Sequence, residues 1–397
     1  MVLGFDTCAL SRTGVSYGQE VRIAHVSDCY LPRTGGIETQ VRALALQQAA
    51  AGHEVRVITA TAGAGEVFSG REIIDGIPVD RVAARIPGSL PVHPRTRAHV
   101  SALLSGEPVD VVHVHAGVIS PFAWGAVRAA HERRLPVLVT VHSIWGPIAR
   151  PGFGASAALL RWTGWGVQLS AVSDTAAERI ADALPSAGEI LVVPNGIDPS
   201  RWDGYRVQGA PDELRLATVM RLAPRKRLIP LLRIADQARR ALAGSTRVSL
   251  SIVGDGPERR RAEAFIRQHG LAADVSLLGR LDQAGIGEVF ANADLYVQPS
   301  VRESFGLAAL EARCAGLPVL ARRQTGTTQF IRDGVEGLLV DSDADMARAI
   351  MRVARDRTLL ERMAEHNRET PPDDTWPAVL TMVDAAYARA IARNGPQ

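Results

Sequence analysis

Lysine is almost absent from this chain of 397 residues: of its 45 basic residues, only Lys226 is a lysine and the rest are arginines. Because a compact ammonium and a planar guanidinium suit different partners, the single lysine marks a position where an ammonium is wanted, with chance retention as the alternative. Neither sign of charge predominates, since 45 basic residues face 42 acidic ones. The net charge of +3 is too small to indicate a nucleic-acid partner.

Cysteine is scarce too, and long apolar runs are missing. The three cysteines lie far apart in the sequence, which excludes a disulfide framework or a paired-cysteine metal site. No run of 18 apolar residues is present, and the first 20 residues lack the basic start and apolar core of a signal peptide. We therefore expect a cytoplasmic protein with reduced thiols, no metal and no cofactor. We also expect residues 1–20 to form a disordered extension.

Aromatic residues make up only 5% of the chain, but 46% of it is apolar and 22% is charged, as in ordinary soluble proteins. The length predicts two to three domains. Short β-branched runs alternate with helical segments, which is typical of a parallel sheet covered on both faces. In the first half, strands are predicted at Val21–Ser27, Glu54–Thr59, Val79–Val82, Val109–His115, Pro136–His142, Leu169–Ser173 and Ile190–Pro194, and helices at Glu38–Ala51, Ala123–Arg134 and Asp174–Leu184.

The same alternation restarts after a turn-rich segment at 199–211, which we interpret as a linker. Strands follow at Leu214–Met220, Arg247–Val253, Val275–Leu278, Leu295–Gln298, Pro318–Ala321 and Gly337–Val340, and helices at Leu228–Ala243, Glu258–His269, Gly285–Ala291, Phe305–Ala315, Ala344–His366 and Thr375–Ala392. We predict two doubly wound α/β domains, 21–198 and 212–370, which face each other across a cleft, and a final helical segment, 371–397. Ligands of such sheets bind at the carboxyl ends of the strands.

Two carboxylates stand eight residues apart after the strand at Leu295–Gln298. Glu311 is predicted to share a helix face with Leu307, Ala308 and Cys314, so that it lies in an apolar stripe and needs a partner such as a ligand hydroxyl or, alternatively, an arginine. If helical, the segment separates Glu303 from Glu311 by roughly 12 Å, which is too far for a glycosidase pair. The N–H groups near Phe305, Gly306 and Leu307 open this helix and can receive a phosphate.

Two further loops follow predicted strands. Arg221 and Lys226 come directly after the strand at Leu214–Met220, where two cations suit a diphosphate; a solvated basic loop is the alternative. Gly35 and Gly36 precede a helix start that favours anions, although a plain turn explains them equally well. Asp28 lies in the same loop.

Three histidines lie on or after predicted strands. We expect His113 and His115 to point to opposite faces of their strand, and His142 to end the next strand at the ligand-binding edge. The sequence has no HxxxH or CxxC spacing, so it does not predict a metal site.

One segment raises the question of membrane contact. Arg150–Gly166 combines Leu159, Trp162 and Trp165 with arginines, a composition that can seat a helix on an anionic membrane surface. We favour internal packing of these aromatic residues, because the glycines weaken a helix. Peripheral contact with the inner membrane face stays open.

Taken in order, the motifs resemble those of the retaining glycosyltransferases of family 4, which have the GT-B fold. The resemblance covers Val21 to about Tyr387. It depends on the following set: Asp28–Gly36 (DxYxPxxGG), Asp110–His115 (DxxHxH), His142, Val172–Asp174, Val193–Asp198 (VPNGID), Arg221 with Lys226, Val253–Pro257 (VGDGP), Leu278–Arg280, Glu303 with Glu311, and Asp333–Val340.

The resemblance implies a role for each candidate residue. Glu303 would hold hydroxyls of the donor sugar, Glu311 the nucleotide ribose, and Arg221 with Lys226 the diphosphate. The Gly36 backbone would touch the phosphate, Arg280 would flank the base, His142 would lie near the reacting sugar and Asp28 near the acceptor. The final helix would cross back onto the first domain. Charge neutralisation by Arg and Lys would replace a metal. One stretch departs from the family pattern: Thr325–Gln329 reads TGTTQ where the family often has GGxxE, which bears on donor preference.

The sequence therefore predicts transfer of a hexose or hexosamine from a UDP- or GDP-sugar to a glycan, lipid or small-molecule acceptor. A GT-B epimerase, a phosphorylase and a non-catalytic nucleotide-sugar binding protein are the alternatives. The intact Glu303, Arg221 and Lys226 disfavour the last of these.

Overall fold

The computed structural model describes residues 20–395, except 66, 87–89, 146–150, 153, 155–161 and 204–211. Residues 1–19 of the predicted extension and most of the predicted linker lie outside the described residues. The chain folds as two compact units. Unit 1 comprises the described residues up to Gly196 together with those from Trp376 onward, and unit 2 is Ile197–Thr375.

Unit 1 is built on an eight-stranded sheet in the order β3-β4-β2-β1-β5-β6-β7-β8. Among the described strands of this sheet, only the β3–β4 pairing is antiparallel. The central strands are buried along almost their whole length, as expected for a parallel sheet covered on both faces. The strands are β1 Arg22–Ser27, β2 Glu54–Thr59, β3 Gly70–Ile74, β4 Ile77–Arg81, β5 Val111–Ala116, β6 Val137–Val141, β7 Gln168–Ala171 and β8 Ile190–Val192; the helices are α1 Gly36–Ala50, α2 Thr96–Gly106, α3 Pro121–Glu132 and α4 Asp174–Ala183.

Unit 2 is built on a six-stranded parallel sheet in the order β11-β10-β9-β12-β13-β14. Leucine, isoleucine and valine side chains of its strands form one core with the flanking helices. The strands are β9 Glu213–Val219, β10 Arg247–Val253, β11 Val275–Gly279, β12 Leu295–Val297, β13 Val319–Arg322 and β14 Gly337–Val340; the helices are α5 Leu228–Ala241, α6 Arg259–Gln268, α7 Gln283–Ala291, α8 Leu307–Cys314, α9 Asp343–Arg355 and α10 Arg357–Glu369. The predicted fold class of two parallel α/β sheets is confirmed.

The last helix, α11 (Trp376–Asn394), belongs to unit 1. Trp376, Val379, Val383 and Tyr387 are buried in the core that β1, β2 and α1 build. Gly196 faces the Trp376 indole so closely that a Cβ there would lie 2.4 Å from a ring carbon. This contact makes glycine necessary in the VPNGID motif.

One predicted helix was wrong, and two elements of unit 1 were missed. The single helix predicted over Ala344–His366 is wrong, because it breaks at Asp356, whose carboxylate accepts a hydrogen bond from Leu359 N at 3.0 Å and begins α10. Strand β3 and helix α2 were not predicted from the sequence. Strand β3 is an edge strand with exposed residues and no apolar run, so it gives little sequence signal.

Two expectations about the whole chain can be compared with the structure. Among the described residues, no helix has the length and apolar character that crossing a membrane requires. Cys29 and Cys314 are free thiols. Burial raises the pKa of Cys29 to about 11, so this thiol stays protonated at neutral pH.

Candidate active site

The loop that carries Arg221 and Lys226 leaves β9 at the carboxyl edge of the unit 2 sheet and ends in a 3-10 turn at Pro224–Lys226. The VGDGP loop packs against it, backbone to backbone. A Cβ on Gly254 would lie 1.9 Å from Met220 O, and one on Gly256 would lie 2.5 Å from Leu222 O. These two glycines are needed for this close approach, and they position the basic loop. The Arg221 side chain is exposed.

Lys226 and Glu303, which are 77 residues apart, form an ion pair in unit 2. The Lys226 Nζ lies 2.5 Å from Glu303 Oε2, and both side chains are largely buried. Gln298, just beyond the end of β12, also donates to Glu303 Oε2 from its Nε2 at 3.2 Å. The structure thus brings together the single lysine and the first carboxylate of the E-x7-E pair, as a cation and an anion at one strand edge.

The segment that contains Glu303 is hydrogen-bonded to the TGTTQ stretch and packs against it. Gly326 N donates to Glu303 O at 2.8 Å, and a Cβ on Gly326 would lie 1.9 Å from Ser304 O. Thr325 and Thr327 are fully buried and share a hydrogen bond of 2.7 Å between their hydroxyls. The departure from the family pattern therefore lies directly against the Glu303 backbone.

Helix α8 begins after Gly306, which has φ +99°. A Cβ at this residue would also lie 2.7 Å from Thr327 Cγ2, so glycine is required twice over. The predicted start at Phe305 is wrong, because the left-handed Gly306 stands between Phe305 and the first helical residue, Leu307. The Phe305 ring is buried against Phe330, so only the backbone of Phe305 remains to contact a ligand.

Glu311 shares a face of α8 with Leu307, Ala308 and Cys314, as predicted, but this face is only half-buried. The core-facing residues are Ala309, Leu310, Ala312 and Arg313, whereas Glu311 and Leu307 are half-buried. The helix does not include Glu303, so the helical estimate of roughly 12 Å between the carboxylates does not apply. Burial raises the pKa of the Tyr296 hydroxyl, and the negative charges of Glu303 and Glu311 raise it further.

Desolvation raises the pKa of Glu311 to about 8, and the positive charge of Arg201 opposes this rise. At neutral pH, Glu311 is therefore mostly protonated without a ligand. Once it ionises, this carboxylate can accept hydrogen bonds from ligand hydroxyls.

Arg280 follows β11 and is highly exposed, at 78% of its side chain. Its guanidinium lies 3.9 Å from Asp255 of the VGDGP loop. The structure therefore places Arg280 at the same sheet edge as the basic loop, with its side chain in solvent.

In unit 1, Gly35 and Gly36 stand at the start of α1. Gly35 has an extended backbone at φ −172° and is the N-cap residue, and Gly36 is the first helical residue. A Cβ on Gly36 would meet nothing within 4 Å, so packing in the described structure does not demand glycine there. A ligand that contacts the Gly36 backbone would need this open space.

Asp28 follows β1 and is buried. Its Oδ1 accepts a hydrogen bond from Phe122 N at 3.0 Å, in the first turn of α3, while Oδ2 has no hydrogen-bond partner in the described part of the chain. Burial raises the pKa of this carboxyl to about 6, although the bonds from Phe122 and Ser120 oppose the rise.

The histidines differ most from the prediction. The expectation that His113 and His115 point to opposite faces is wrong, because residues two apart on a strand share a face, and their ring centroids lie 4.1 Å apart. His25 on β1 pairs in register with His113. One ring nitrogen each of His25, His113 and His115 lie within 4.8 Å of one another, a clustering that the sequence spacing did not reveal. His142, directly after β6, joins them through a bond of 3.0 Å from its Nε2 to His115 Nδ1.

The segment considered for membrane contact lies largely outside the described residues, but Trp162 and Trp165 are described. Trp162 is buried and packs against Trp124 with ring centroids 4.9 Å apart, and Trp165 stacks on His131 at 4.5 Å. Trp162 lies in a 3-10 turn, Trp162–Gly164. The two aromatic rings therefore have protein partners.

Solved structures show which class of fold this is. The chain superposes on HepE from Anabaena, solved in complex with UDP and glucose, with a TM-score of 0.71 at 19% identity over 92% of this chain and 98% of that one. It also superposes on WaaG, a glycosyltransferase involved in lipopolysaccharide biosynthesis, with a TM-score of 0.66 at 20% identity, over 92% of this chain and 98% of that chain. These likenesses identify the fold as GT-B.

Sequence comparisons identify the family. Residues 34–201 match the model described as Glycosyltransferase Family 4, and residues 205–370 match Glycosyl transferases group 1. The chain is 30% identical to the phosphatidyl-myo-inositol mannosyltransferase of Mycobacterium leprae, over 91% of this chain and 94% of that protein. It is also 30% identical to the D-inositol 3-phosphate glycosyltransferase of Actinosynnema mirum, over 92% and 95% respectively.

The chain belongs to glycosyltransferase family 4, and its class of activity is glycosyl transfer from a nucleotide-sugar donor.

Proposed function

We propose that this protein transfers a hexose or hexosamine, with retention of configuration, from a UDP- or GDP-sugar to an acceptor hydroxyl. The observation that carries the proposal is the Lys226–Glu303 ion pair beside the start of α8. It places a cation suited to a diphosphate next to a carboxylate suited to sugar hydroxyls.

Donor binding exchanges the partners of this ion pair. Without a ligand, Lys226 and Glu303 neutralise each other at 2.5 Å. The diphosphate replaces Glu303 as the partner of the Lys226 ammonium. Sugar hydroxyls then donate to Glu303, which keeps its hydrogen bond from Gln298. Arg221, in the same loop as Lys226, adds a second cation for the charge that develops on the leaving group.

The remaining donor contacts use backbone and the second carboxylate. The N–H groups of Gly306 and Leu307, at the start of α8, donate to phosphate oxygens. Glu311 in its ionised form accepts from ribose hydroxyls. The backbone at Arg280 flanks the base. The family resemblance assigns a phosphate contact to the backbone of Gly36, around which a Cβ would meet nothing within 4 Å.

Two residues of unit 1 serve the reaction centre. His142 contacts the sugar that is transferred, and Asp28 lies near the acceptor. The bond from C1 to the diphosphate oxygen breaks and the bond from the acceptor oxygen to C1 forms on the same face. The acceptor proton passes to the departing diphosphate, and Lys226 stabilises the charge without a metal ion.

The acceptor class is drawn from the names of the relatives. Both relatives described above carry inositol in their names, one as phosphatidyl-myo-inositol and one as D-inositol 3-phosphate. A polyol hydroxyl, free or on a lipid, is therefore the first acceptor to test, ahead of a glycan.

A labelled-donor experiment tests the proposal. The protein is incubated with radiolabelled UDP- and GDP-sugars and a panel of inositols, inositol lipids, sugar phosphates and glycans, and the anomeric configuration of any product is read by NMR. We expect transfer with retention to one acceptor. An inverted product, sugar 1-phosphate formed from free phosphate, a changed donor sugar without an acceptor, or binding without turnover would each contradict the proposal.

A further inference from the structure

Four histidines of unit 1 form one buried cluster with Gln48 and Tyr387. His25, His113 and His115 are almost wholly excluded from solvent, as are Gln48 on α1 and Tyr387 on α11. His142 is half-buried and lies beyond the end of β6, at the sheet edge where ligands of such folds bind. The cluster thus connects the interior of unit 1 to a candidate reaction-centre residue.

Each ring nitrogen of the three inner histidines has a hydrogen-bond partner. His25 bonds to Gln48 Oε1 at 2.7 Å and to His115 Nε2 at 2.9 Å. His115 bonds onward through its Nδ1 to His142 Nε2 at 3.0 Å. His113 bonds to the Tyr387 hydroxyl at 2.9 Å and to Thr140 Oγ1 at 2.7 Å. Every ring nitrogen of these three histidines that could bind a metal ion is therefore already engaged in a hydrogen bond.

The rings in this cluster are neutral. Burial lowers the pKa of His25 and of His142 to about 4, and it lowers those of His113 and His115 well below the usual range. A neutral imidazole carries one N–H and one lone pair. Each inner ring must therefore donate one bond and accept the other, so a chain of such rings has a direction.

Gln48 sets that direction, because its two amide atoms have different partners. Its Nε2 donates to the Tyr387 hydroxyl at 3.0 Å, which leaves Oε1 as the acceptor that faces His25. His25 then donates from Nε2 and accepts at Nδ1. His115 in turn donates from Nε2 to His25 and accepts at Nδ1 from His142. The proton of His142 is therefore on Nε2, and its lone pair is on Nδ1.

A second chain starts at the same glutamine and ends elsewhere. The Tyr387 hydroxyl accepts from Gln48 and donates to His113 Nδ1, and His113 Nε2 donates to Thr140, whose hydroxyl bonds to Ser170 at 2.7 Å. None of these bonds reaches His142. His113 and His25 are register partners on adjacent strands and are equally buried, so the second chain supplies a matched control.

We propose that Gln48, acting through His25 and His115, fixes His142 as the tautomer with its proton on Nε2 and its lone pair on Nδ1. Gln48, His25 and His115 are then positioning residues. A ring nitrogen with a lone pair can accept a hydrogen bond, such as one from a sugar hydroxyl, but it cannot donate one to a phosphate oxygen. This consequence for the reaction rests on the proposed role of His142, whereas the tautomer itself does not.

The tautomer is measured on the full-length, ligand-free protein labelled with 15N-histidine. Two-bond 1H–15N correlation spectra distinguish protonated from unprotonated ring nitrogens, and His142→Gln assigns the His142 signals by their loss. We expect a protonated Nε2 and an unprotonated Nδ1 for His142. In His25→Phe we expect this pattern to give way to signals averaged between the two tautomers. His113→Phe, the matched control, keeps the original pattern.

Gln48→Met provides a second route if His25→Phe does not fold, since it removes the acceptor that sets the direction. Gln48→Glu keeps an acceptor and should keep the tautomer. In the transfer assay, we expect His25→Phe to lower kcat about tenfold, the size of one net hydrogen bond to the transition state, with the donor KM unchanged. His113→Phe should retain the kcat.

A protonated Nδ1 on His142 in the wild type, an unchanged tautomer in His25→Phe and Gln48→Met, or an equal change in His113→Phe would each overturn the proposal. So would stoichiometric zinc binding that both His25→Phe and His113→Phe abolish, because the cluster would then be a metal site. Absence of transferase activity together with the expected tautomer would refute the proposed function alone.

Discussion

Donor binding should release nearly one proton at pH 7, because the Glu311 carboxyl has a pKa of about 8 before the donor arrives. Ribose hydroxyls donate to this group, so they bind its ionised form. With a pKa near 8, about 1% of the protein has an ionised Glu311 at pH 6, about 10% at pH 7 and about 50% at pH 8. The apparent Kd of the donor should therefore fall about 50-fold between pH 6 and pH 8.

Isothermal titration calorimetry with the intact UDP- or GDP-sugar measures both quantities. The diphosphate of such a donor is esterified at both ends, so it does not titrate in this range and adds no proton of its own. At pH 7, two buffers of different ionisation enthalpy should report release of about 0.9 proton per donor bound. Glu311→Gln keeps a hydroxyl acceptor but cannot ionise, so both the proton release and the pH dependence should vanish in this variant.

A donor Kd that stays constant from pH 6 to pH 8 in the wild type would refute this account of Glu311. The same slope in wild type and Glu311→Gln would show that another group titrates. Asp28 has a pKa of about 6 and is the first group to examine in that case.

Other expectations follow from the same structure. Transfer should persist in excess EDTA, because Lys226 and Arg221 carry the charge that a metal would neutralise; a strict requirement for Mg²⁺ or Mn²⁺ would contradict this. The protein should not co-sediment with anionic liposomes at low salt, since Trp162 and Trp165 pack internally; binding that is lost in Trp165→Ala would reverse the conclusion. Acid should destabilise unit 1. The folded-state pKa of His25 lies below its unfolded value of about 6.5, so its stabilisation is full above pH 6.5 and is lost toward pH 4, by about 1.4 kcal/mol per pH unit. In urea titrations, the excess unfolding free energy of wild type over His25→Phe should shrink by about 2 kcal/mol from pH 7 to pH 5, and a constant difference would show that His25 is not buried in its neutral form.

Strands with a regular apolar pattern were predicted closely. The bounds of β2, β10 and β14 match the structure to the residue. Apolar residues alternate with polar ones along β10 and are continuous in β14, and either pattern is a clear strand signal in the sequence. Strand β3 lacks that signal because its exposed edge position demands no apolar residues.

The donor half of the candidate site was predictable only in part. The motif order named Lys226 and Glu303, but their ion pair joins residues 77 positions apart, and no local pattern encodes that contact. Helical spacing correctly grouped Glu311 with Leu307, Ala308 and Cys314, but it did not show that this face is only half-buried. The helix start was predicted two residues too early, because the left-handed Gly306 delays it to Leu307.

The histidine cluster lay beyond sequence reasoning for the same physical reason. His113 meets Tyr387 across 274 residues, and His25 meets His115 across 90. Spacing along one strand could have placed His113 and His115 on a common face, since two residues complete one pleat. The remaining members depend on strand order and on the return of α11 to unit 1, which local spacing does not encode.

The central claim, that the lone lysine stabilises the departing diphosphate, is tested most directly by the transfer rate of Lys226→Ala. The matched control is Arg225→Ala, which removes an exposed cation from the same turn. We predict that Lys226→Ala lowers kcat by about 10²-fold or more, as expected when one charge contact to the transition state is removed, with the fold retained by circular dichroism and Arg225→Ala close to wild type. A kcat for Lys226→Ala equal to that of the wild type would contradict the account.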